Sequence, residues 1–256
     1  MCLIIFAYRS HPDYRLVLAA NRDEFYNRPT RPVAFWNGTP GILAGRDLKA
    51  GGTWLGITRK GRFAAITNYR EIGLTRENAP SRGDLVKNFL IGNSTPHDYL
   101  KTVQDKGQAY NGFNLIIGDA KDLLYYSNRD GNIRTIEPGV HGLSNHLLDT
   151  PWPKVNQGTS DLRALMIQKE GFSQEDIFTV LADRSTPLDK ELPDTGVGLE
   201  WERVLSPAFI LSPTYGTRSS TLIFIDLKDR VTFFERTFNS DSDHAATVEH
   251  EFEIKP

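Results

Sequence analysis

The sequence predicts a layered α+β fold with largely antiparallel sheets, and three observations support this prediction. Short aliphatic and aromatic runs follow one another through the first 70 residues, joined by links that contain Gly, Pro or Asp. Two blocks with helical periodicity, at about 81–107 and 152–185, separate groups of such runs. Runs and helices therefore do not alternate one by one, as they would in a parallel sheet built from βαβ units.

The N-terminal part of the chain predicts five strands. The runs CLIIFAY (2–8) and RLVLAAN (15–21) are joined by a turn that contains Pro12 and Asp13, and together they predict a hairpin. Three further apolar runs with glycine-containing links continue the sheet as a meander. They are GILAGRD (41–47), GTWLGIT (52–58) and RFAAITN (62–68).

Helices are predicted where the apolar residues recur at helical spacing. In SRGDLVKNFLIG (81–92) we expect Ser81 to cap the helix, and in TPHDYLKTVQDKG (95–107) we expect Gly107 to end it. A second helical region spans about 152–185, and the stretch 185–204 is predicted to be a long surface loop because prolines and glycines interrupt it.

The remaining apolar runs predict strands in the second half of the chain. The last of them is expected at a sheet edge, and Lys228 with Asp229 should form the turn of a hairpin. The predicted strands are 113–119, 122–128, 132–137, 206–212, 218–227, 230–238 and 247–254.

Composition limits the function classes. The 256 residues include 30 basic and 32 acidic side chains, and no run of like charges suggests a nucleic-acid or membrane partner. A single cysteine excludes an intramolecular disulfide. The N-terminal apolar run of about seven residues is too short for a signal peptide or a membrane span. We therefore expect one cytoplasmic domain over 1–256, without stable membrane insertion.

The single cysteine, Cys2, directly follows the initiator methionine. A small second residue favours removal of Met1, which leaves a thiol and a free α-amine on one residue, so that a base lies beside the nucleophile. The other interpretation is that Cys2 is a small apolar residue at the start of a buried strand. Position alone does not separate the two.

A charged cluster, Asn21-Arg22-Asp23-Glu24, ends the second predicted strand. In an antiparallel hairpin this end returns to the start of the first strand, so Arg22 and Asp23 should arrive near Cys2. The arginine would lower the pKa of the thiol, and the carboxylate could hold the α-amine. A solvated, charged turn is the alternative.

Seven ordered blocks along nearly the whole chain resemble the NRDE family, whose eukaryotic members are called transport and Golgi organisation protein 2. The blocks are MC at the start, LAANRDEFYNRP, GGTWLGI, AAITNYRE, YNGFNLI, GLSNHLLDTPWPKV and YGTRSSTLIFID. The resemblance implies the Ntn-hydrolase-like fold, a four-layer αββα sandwich in which two largely antiparallel sheets lie between helical layers.

The family is also similar, more distantly, to the choloylglycine hydrolase and penicillin V acylase group of N-terminal cysteine amidases. Matched by motif, the functional positions of that group correspond here to Cys2, Arg22, Asp23, Asn68, Asn145 and Arg218. The resemblance implies that Asp23 orients the amine of Cys2 and that the two asparagines hold an oxyanion. Taken alone, Asn68 and Asn145 could each be a turn residue. The hydroxyls beside Arg218 could simply form hydrogen bonds at the end of a strand. Because Arg22 and Asp23 are adjacent, a strand would point them to opposite faces.

These features predict an N-terminal cysteine hydrolase or acyltransferase that acts on an amide or thioester of a small acyl compound. The alternative is a non-catalytic carrier that uses the same cleft for haem or an acyl-CoA-like lipid. The six histidines show no zinc-site spacing, so we expect no metal, and no cofactor apart from haem under the alternative.

Overall fold

The structure is a computed structural model that describes residues 2–39, 41–168, 171–239 and 244–255. The strands are β1 (Cys2–Tyr8), β2 (Tyr14–Phe25), β3 (Thr30–Phe35), β4 (Ile42–Asp47), β5 (Leu55–Thr58), β6 (Phe63–Asn68), β7 (Phe113–Gly118), β8 (Leu123–Ser127), β9 (Ile133–Thr135), β10 (Gly139–Leu143), β11 (Tyr215–Asp226), β12 (Arg230–Phe238) and β13 (His244–Glu253). The helices are α1 (Gly83–Ile91), α2 (Pro96–Lys106), α3 (Pro153–Met166), α4 (Gln174–Leu181) and α5 (Leu199–Leu205).

The strands form two antiparallel sheets, which confirms the predicted α+β class. The sheets belong to two compact units, which we call the six-stranded unit (1–27, 137–144 and 148–252) and the seven-stranded unit (28–136, 145–147 and 253–256). The expectation of a single domain over 1–256 stays a prediction.

The six-stranded sheet has the order β10-β1-β2-β11-β12-β13. The predicted hairpin of β1 and β2 is confirmed, and its register places Cys2 opposite Arg22 and Leu3 opposite Asn21. The predicted hairpin of β11 and β12 is also present, and its turn holds Asp229 at φ 63°, a conformation that Asp tolerates better than most residues. β13 lies at the edge, as expected.

Helices α3 and α4 cover one face of this sheet. Leu162, Ile177 and Leu181 are buried in one cluster with side chains from β1 and β2, and each contributes roughly 1.5–3 kcal/mol through burial. Helix α3 approaches β10 so closely that a Cβ on Gly142 would lie 2.6 Å from a methyl group of Val155. Only glycine fits there.

The seven-stranded sheet is a meander in the order β3 to β9, and α1 and α2 pack on it. Val86, Phe89 and Leu100 of these helices are buried with strand residues of β7. Gly107 ends α2, as predicted, and the Thr95 side chain caps its start. The predicted cap of α1 is wrong, because Arg82 and not Ser81 occupies the N-cap position and makes no side-chain cap bond.

Three other local predictions differ from the structure. Strands β3 and β10 were not expected; β3 holds the exposed Pro32, which its edge position tolerates. Residues 206–212 form no regular strand, only a bridge at Leu211. Residues 206–210 are buried as a loop, which accounts for their apolar side chains, while Leu211 is exposed. The predicted loop 185–204 contains most of α5.

Within the described residues, no helix is long and apolar enough to cross a membrane.

Candidate active site at the start of β1

Cys2 begins β1, and its side chain is partly buried. Because Arg22 is its partner in the register, the two side chains lie on the same face of the sheet. The Arg22 guanidinium is buried and lies 3.9 Å from the carboxylate of Glu24. The hairpin therefore brings Arg22 to Cys2 as the sequence predicts.

Asp23, the next residue on β2, is 1% exposed and faces the other way. Its Oδ1 accepts a hydrogen bond from the hydroxyl of Thr217 at 2.7 Å, and its backbone oxygen accepts one from the hydroxyl of Tyr215 at 3.0 Å. The Thr217 oxygen in turn accepts from the backbone N–H of Ile210 at 2.9 Å. Asp23 is thus fixed by β11 and by the buried loop before it.

The net electrostatic effect on Cys2 is opposite to that of Arg22. Burial raises the pKa of the thiol, and the nearby Asp23 carboxylate acts in the same direction. Arg22 lowers this pKa, as predicted, and so does the backbone N–H of Asp23. The pKa is nevertheless raised, because removal of water from the thiol outweighs these neighbours. The resting thiol is neutral.

Burial also raises the pKa of Asp23. Among the described residues, Lys154 opposes this shift most strongly, because its ammonium stabilises the ionised carboxylate. Lys154 lies in the first turn of α3, is buried, and donates to the backbone oxygen of Leu205 at 2.8 Å. Sequence reasoning missed this residue. The available signal was a lysine in the first helical turn, where the helix dipole disfavours a cation.

Arg218 occupies an irregularity in β11. Thr217 pairs with Asp23 and Ser219 with Arg22, so Arg218 is the extra residue of a β-bulge. Its Nη1 donates to the backbone oxygens of Phe25 and Tyr26, each at 2.9 Å. Burial lowers the pKa of Arg218, and the positive charge of Arg22 acts in the same direction. The bulge has no sequence signal.

The two predicted oxyanion residues belong to the seven-stranded unit. Asn145 is fully buried, and its Nδ2 donates to the backbone oxygen of Asn68, the last residue of β6, at 2.8 Å. Its own backbone oxygen accepts from the N–H of Arg70 at 2.7 Å. The structure therefore brings Asn68 and Asn145 together. Their predicted convergence with Cys2 stays a prediction.

The six-stranded unit also contains a cavity of about 670 Å³, bordered by α3 and the segment after α4. Lys154 lines it, but none of the six predicted site residues does. In the part of the chain that the structure describes, no group of three or more His, Cys, Asp or Glu side chains is placed to hold a metal ion.

Comparison with solved structures identifies the fold. The chain is similar to the C2A mutant of a conjugated bile acid hydrolase from Clostridium perfringens, with a TM-score of 0.55 and 9% identity over 98% of this chain and 92% of that one. It is also similar to a Caenorhabditis elegans ortholog of N-acylethanolamine-hydrolyzing acid amidase, with a TM-score of 0.51 and 12% identity over the full length of both. The fold is therefore that of the Ntn hydrolases.

The family follows from sequence. Residues 1–240 match the family described as Transport and Golgi organisation 2. The mouse and human homologs of that protein are each 37% identical to this chain, with full coverage of both sequences, and the Drosophila melanogaster protein is 28% identical over 95% of this chain and 94% of its own length. The chain belongs to the Transport and Golgi organisation 2 family.

Proposed function

We propose that this protein is an N-terminal cysteine hydrolase or acyltransferase that acts on an amide or thioester of a small acyl compound. The observation that carries the proposal is the arrangement at the start of β1, where Arg22 lies opposite Cys2 and the backbone N–H of Asp23 reaches its thiol. The two solved proteins with this fold are named as a hydrolase and an amidase, and in one of them residue 2 is a mutated cysteine.

Removal of Met1 gives Cys2 a free α-amine, and the chemistry then needs no separate base. The amine takes the thiol proton as Sγ bonds to the substrate carbonyl carbon, and the carbonyl oxygen becomes an oxyanion. The intermediate collapses when the bond to the leaving amine or thiol breaks, and the ammonium protonates that group. The product is a thioester on Cys2.

The second half of the cycle releases the acyl group. The amine accepts a proton from water as the water oxygen attacks the thioester carbon, and the carbon–sulfur bond then breaks. The sulfur takes the proton back, so the thiol and the neutral amine are restored. In an acyltransferase, an acceptor amine or alcohol replaces the water.

The remaining residues have supporting roles in this proposal. Asp23 holds the ammonium that forms in each half of the cycle, and Arg22 stabilises negative charge that develops on the sulfur. Asn68 and Asn145 donate to the oxyanion. Arg218 holds the end of β2 in place through the Phe25 and Tyr26 carbonyls.

A raised thiol pKa fits this mechanism because proton transfer and attack occur together, so no stored thiolate is needed. The same burial also supports the rival function, a non-catalytic carrier of haem or an acyl-CoA-like lipid in which Cys2 is a packing residue. In both proposals the partner is a small molecule and not a nucleic acid, and the single cysteine is compatible with a reducing cytoplasm.

The test begins with the intact mass of the purified protein. We expect a mass without Met1, since a retained methionine blocks the amine and contradicts the mechanism. Wild type and Cys2→Ser are then incubated with acyl thioesters and N-acyl amides of increasing chain length. We expect turnover and a trapped acyl adduct on residue 2 only in wild type, with a loss on the order of 10³-fold or more in the variant.

The carrier function predicts a different result. Protein that lacks Met1 would then form no acyl adduct with any of these compounds, while wild type and Cys2→Ser would bind haem or an acyl thioester equally well. Circular dichroism of the serine variant serves as the control for folding. Iodoacetamide labelling reports on Cys2 alone, because it is the single cysteine.

A further inference from the structure

Lys154 is a buried charged residue that the proposed mechanism does not use. It is 6% exposed, although lysine is almost never fully buried unless its charge is compensated. Its Nζ donates to the backbone oxygen of Leu205 at 2.8 Å, and this bond helps to compensate the charge. A methionine would fill the same volume without the cost of burying a cation, so this lysine requires an explanation.

Lys154 and Asp23 are attached to the same short segment of chain. The ammonium of Lys154 binds the oxygen of Leu205, and the N–H of Ile210 binds Thr217, whose hydroxyl donates to Asp23. Leu205 and Ile210 are both buried and form one small apolar cluster. The segment 205–210 therefore fixes the cation and the carboxylate in a common low-water environment.

The charges around Asp23 identify the role of this cation. Among the described residues, the titratable groups that interact with the carboxylate are Arg22 on its own strand, the Cys2 thiol on β1 and Lys154 on α3, while the Tyr215 hydroxyl on β11 donates to the Asp23 backbone oxygen. Burial raises the pKa of Asp23, and Lys154 opposes this more strongly than Arg22 does. Without Lys154, burial would favour the neutral acid still more.

We propose that Lys154 is a positioning residue that keeps the Asp23 carboxylate ionised so that it can hold the α-amine of Cys2. The inference rests on the proposed function for the role of that amine. A neutral carboxylic acid cannot balance the ammonium that forms when the amine takes the thiol proton. Lys154 thus acts on the reaction through Asp23 and does not touch the substrate.

The test measures Asp23 directly in the full-length protein without Met1 and without substrate. Carboxyl ¹³C resonances of labelled aspartates are followed over pH, and Asp23→Asn identifies the Asp23 signal. In Lys154→Met we expect Asp23 to titrate at a higher pH than in wild type. The matched control is Arg163→Met, which removes an exposed cation from the last turn of the same helix and should leave Asp23 unchanged.

An unchanged Asp23 titration in Lys154→Met, or an equal shift in Arg163→Met, overturns the proposal. If Lys154→Met does not fold, linkage supplies the reciprocal measurement, because Asp23→Asn must then lower the pKa of the Lys154 amine, as followed by ¹⁵N-lysine spectra. An unchanged Lys154 signal in that variant also overturns it.

These titrations involve no turnover, so they separate this proposal from the proposed function. If acyl transfer is never found and Asp23 still shifts, the coupling stands and the proposed function fails. Where turnover is found, the acid limb of the kcat/KM profile should move to higher pH in Lys154→Met, with KM unchanged. A purely structural lysine would lower stability without moving that limb.

Discussion

The two units place different kinds of polar group in their interiors. In the six-stranded unit the buried groups near the start of β1 are ionisable, namely Arg22, Asp23 and Lys154. In the seven-stranded unit the corresponding groups near the end of β6 are neutral, and Asn114 is the centre of them. Among the described residues, buried charged side chains occur only in the six-stranded unit, which also buries amides and hydroxyls, whereas the buried polar side chains of the seven-stranded unit are all neutral.

The neutral group is fully connected. Asn114 donates to the Thr67 hydroxyl at 3.1 Å and to the backbone oxygen of His146 at 2.9 Å, and it accepts from the Tyr125 hydroxyl at 2.8 Å. Such bonds each contribute on the order of 1 kcal/mol to stability. Nothing beyond structure is needed to account for this network.

Buried charge has no comparable structural benefit. Apolar side chains of similar volume often stabilise a protein as well as, or better than, a buried ion pair, whereas functional sites retain ionisable groups with shifted pKa values. The comparison therefore favours the six-stranded unit as the location of the proposed proton chemistry.

The largest effect is expected for Asp23→Asn. The amide cannot balance the ammonium of Cys2, so kcat/KM should fall by about 10²–10⁴-fold. The matched control is Ser220→Ala, which removes a buried bond to Asn21 in the same sheet, should cost about 1 kcal/mol of stability and should leave the rate unchanged. A near wild-type rate for Asp23→Asn would remove the proton chemistry from this unit.

Asn145→Ala tests whether the neutral unit takes part in the reaction at all. If Asn145 donates to the oxyanion, kcat should fall by about 10²–10³-fold, with KM little changed. Steady-state kinetics at saturating substrate give this value. If Asn145 serves only to bond the backbone oxygen of Asn68, the variant will be less stable in urea unfolding but will react at the rate of wild type.

Asn114→Ala should damage stability without affecting the rate. Two buried hydroxyls and one carbonyl lose their partner, so the free energy of unfolding should fall by about 2–3 kcal/mol. Tyr125→Phe removes one of the three bonds and should cost about 1 kcal/mol. A rate loss per folded molecule in either variant would contradict the neutral unit's structural role.

The smallest effect concerns the pair of His141 and Asp149 in the six-stranded unit, which lie 2.8 Å apart. The hydrogen bond to Asp149 raises the pKa of His141 above its ordinary value of about 6.5. The pair's contribution to stability is therefore complete below about pH 6.5 and is lost as the pH rises through the folded-state pKa.

Asp149→Asn isolates this contribution, because the variant keeps the Oδ1 acceptor for the N–H of Gly142. Wild type should exceed the variant by no more than about 1 kcal/mol, since Asp149 is half exposed and solvent screens the pair. Urea unfolding at about pH 5.5 and at about pH 9 measures the difference at both ends. A difference that grows with pH would contradict the assignment.

Local patterns were enough to predict the hairpin that brings Arg22 to Cys2. Two aliphatic runs joined by a short turn with Pro and Asp predict an antiparallel hairpin, and in such a hairpin the end of β2 returns to the start of β1, where Cys2 lies. Gly107 as a helix end is equally local. Predictions of this kind succeed because neighbouring residues determine the outcome.

Other features depend on contacts distant in sequence. Residues 206–212 are apolar enough for a strand, yet Ile210 bonds to the Thr217 side chain and the segment packs as a loop. Lys154 would be placed in solvent by its residue type alone, because only the fold shows that Leu205 and Asp23 surround it. The full burial of Asn145 could not be predicted either, because asparagine is common both in exposed turns and in oxyanion sites.

The bulge at Arg218 makes β11 unusual in how it would respond to a change in chain length. Removal of one residue from a regular strand interchanges its two faces beyond that point, which is ruinous where both faces are buried. At position 218 the extra residue lies between two intact pairs, Thr217 with Asp23 and Ser219 with Arg22. The ladder can close over its loss with the neighbouring side chains on their original faces, so a one-residue deletion at position 218 should disturb the strand less than a deletion within its regular part.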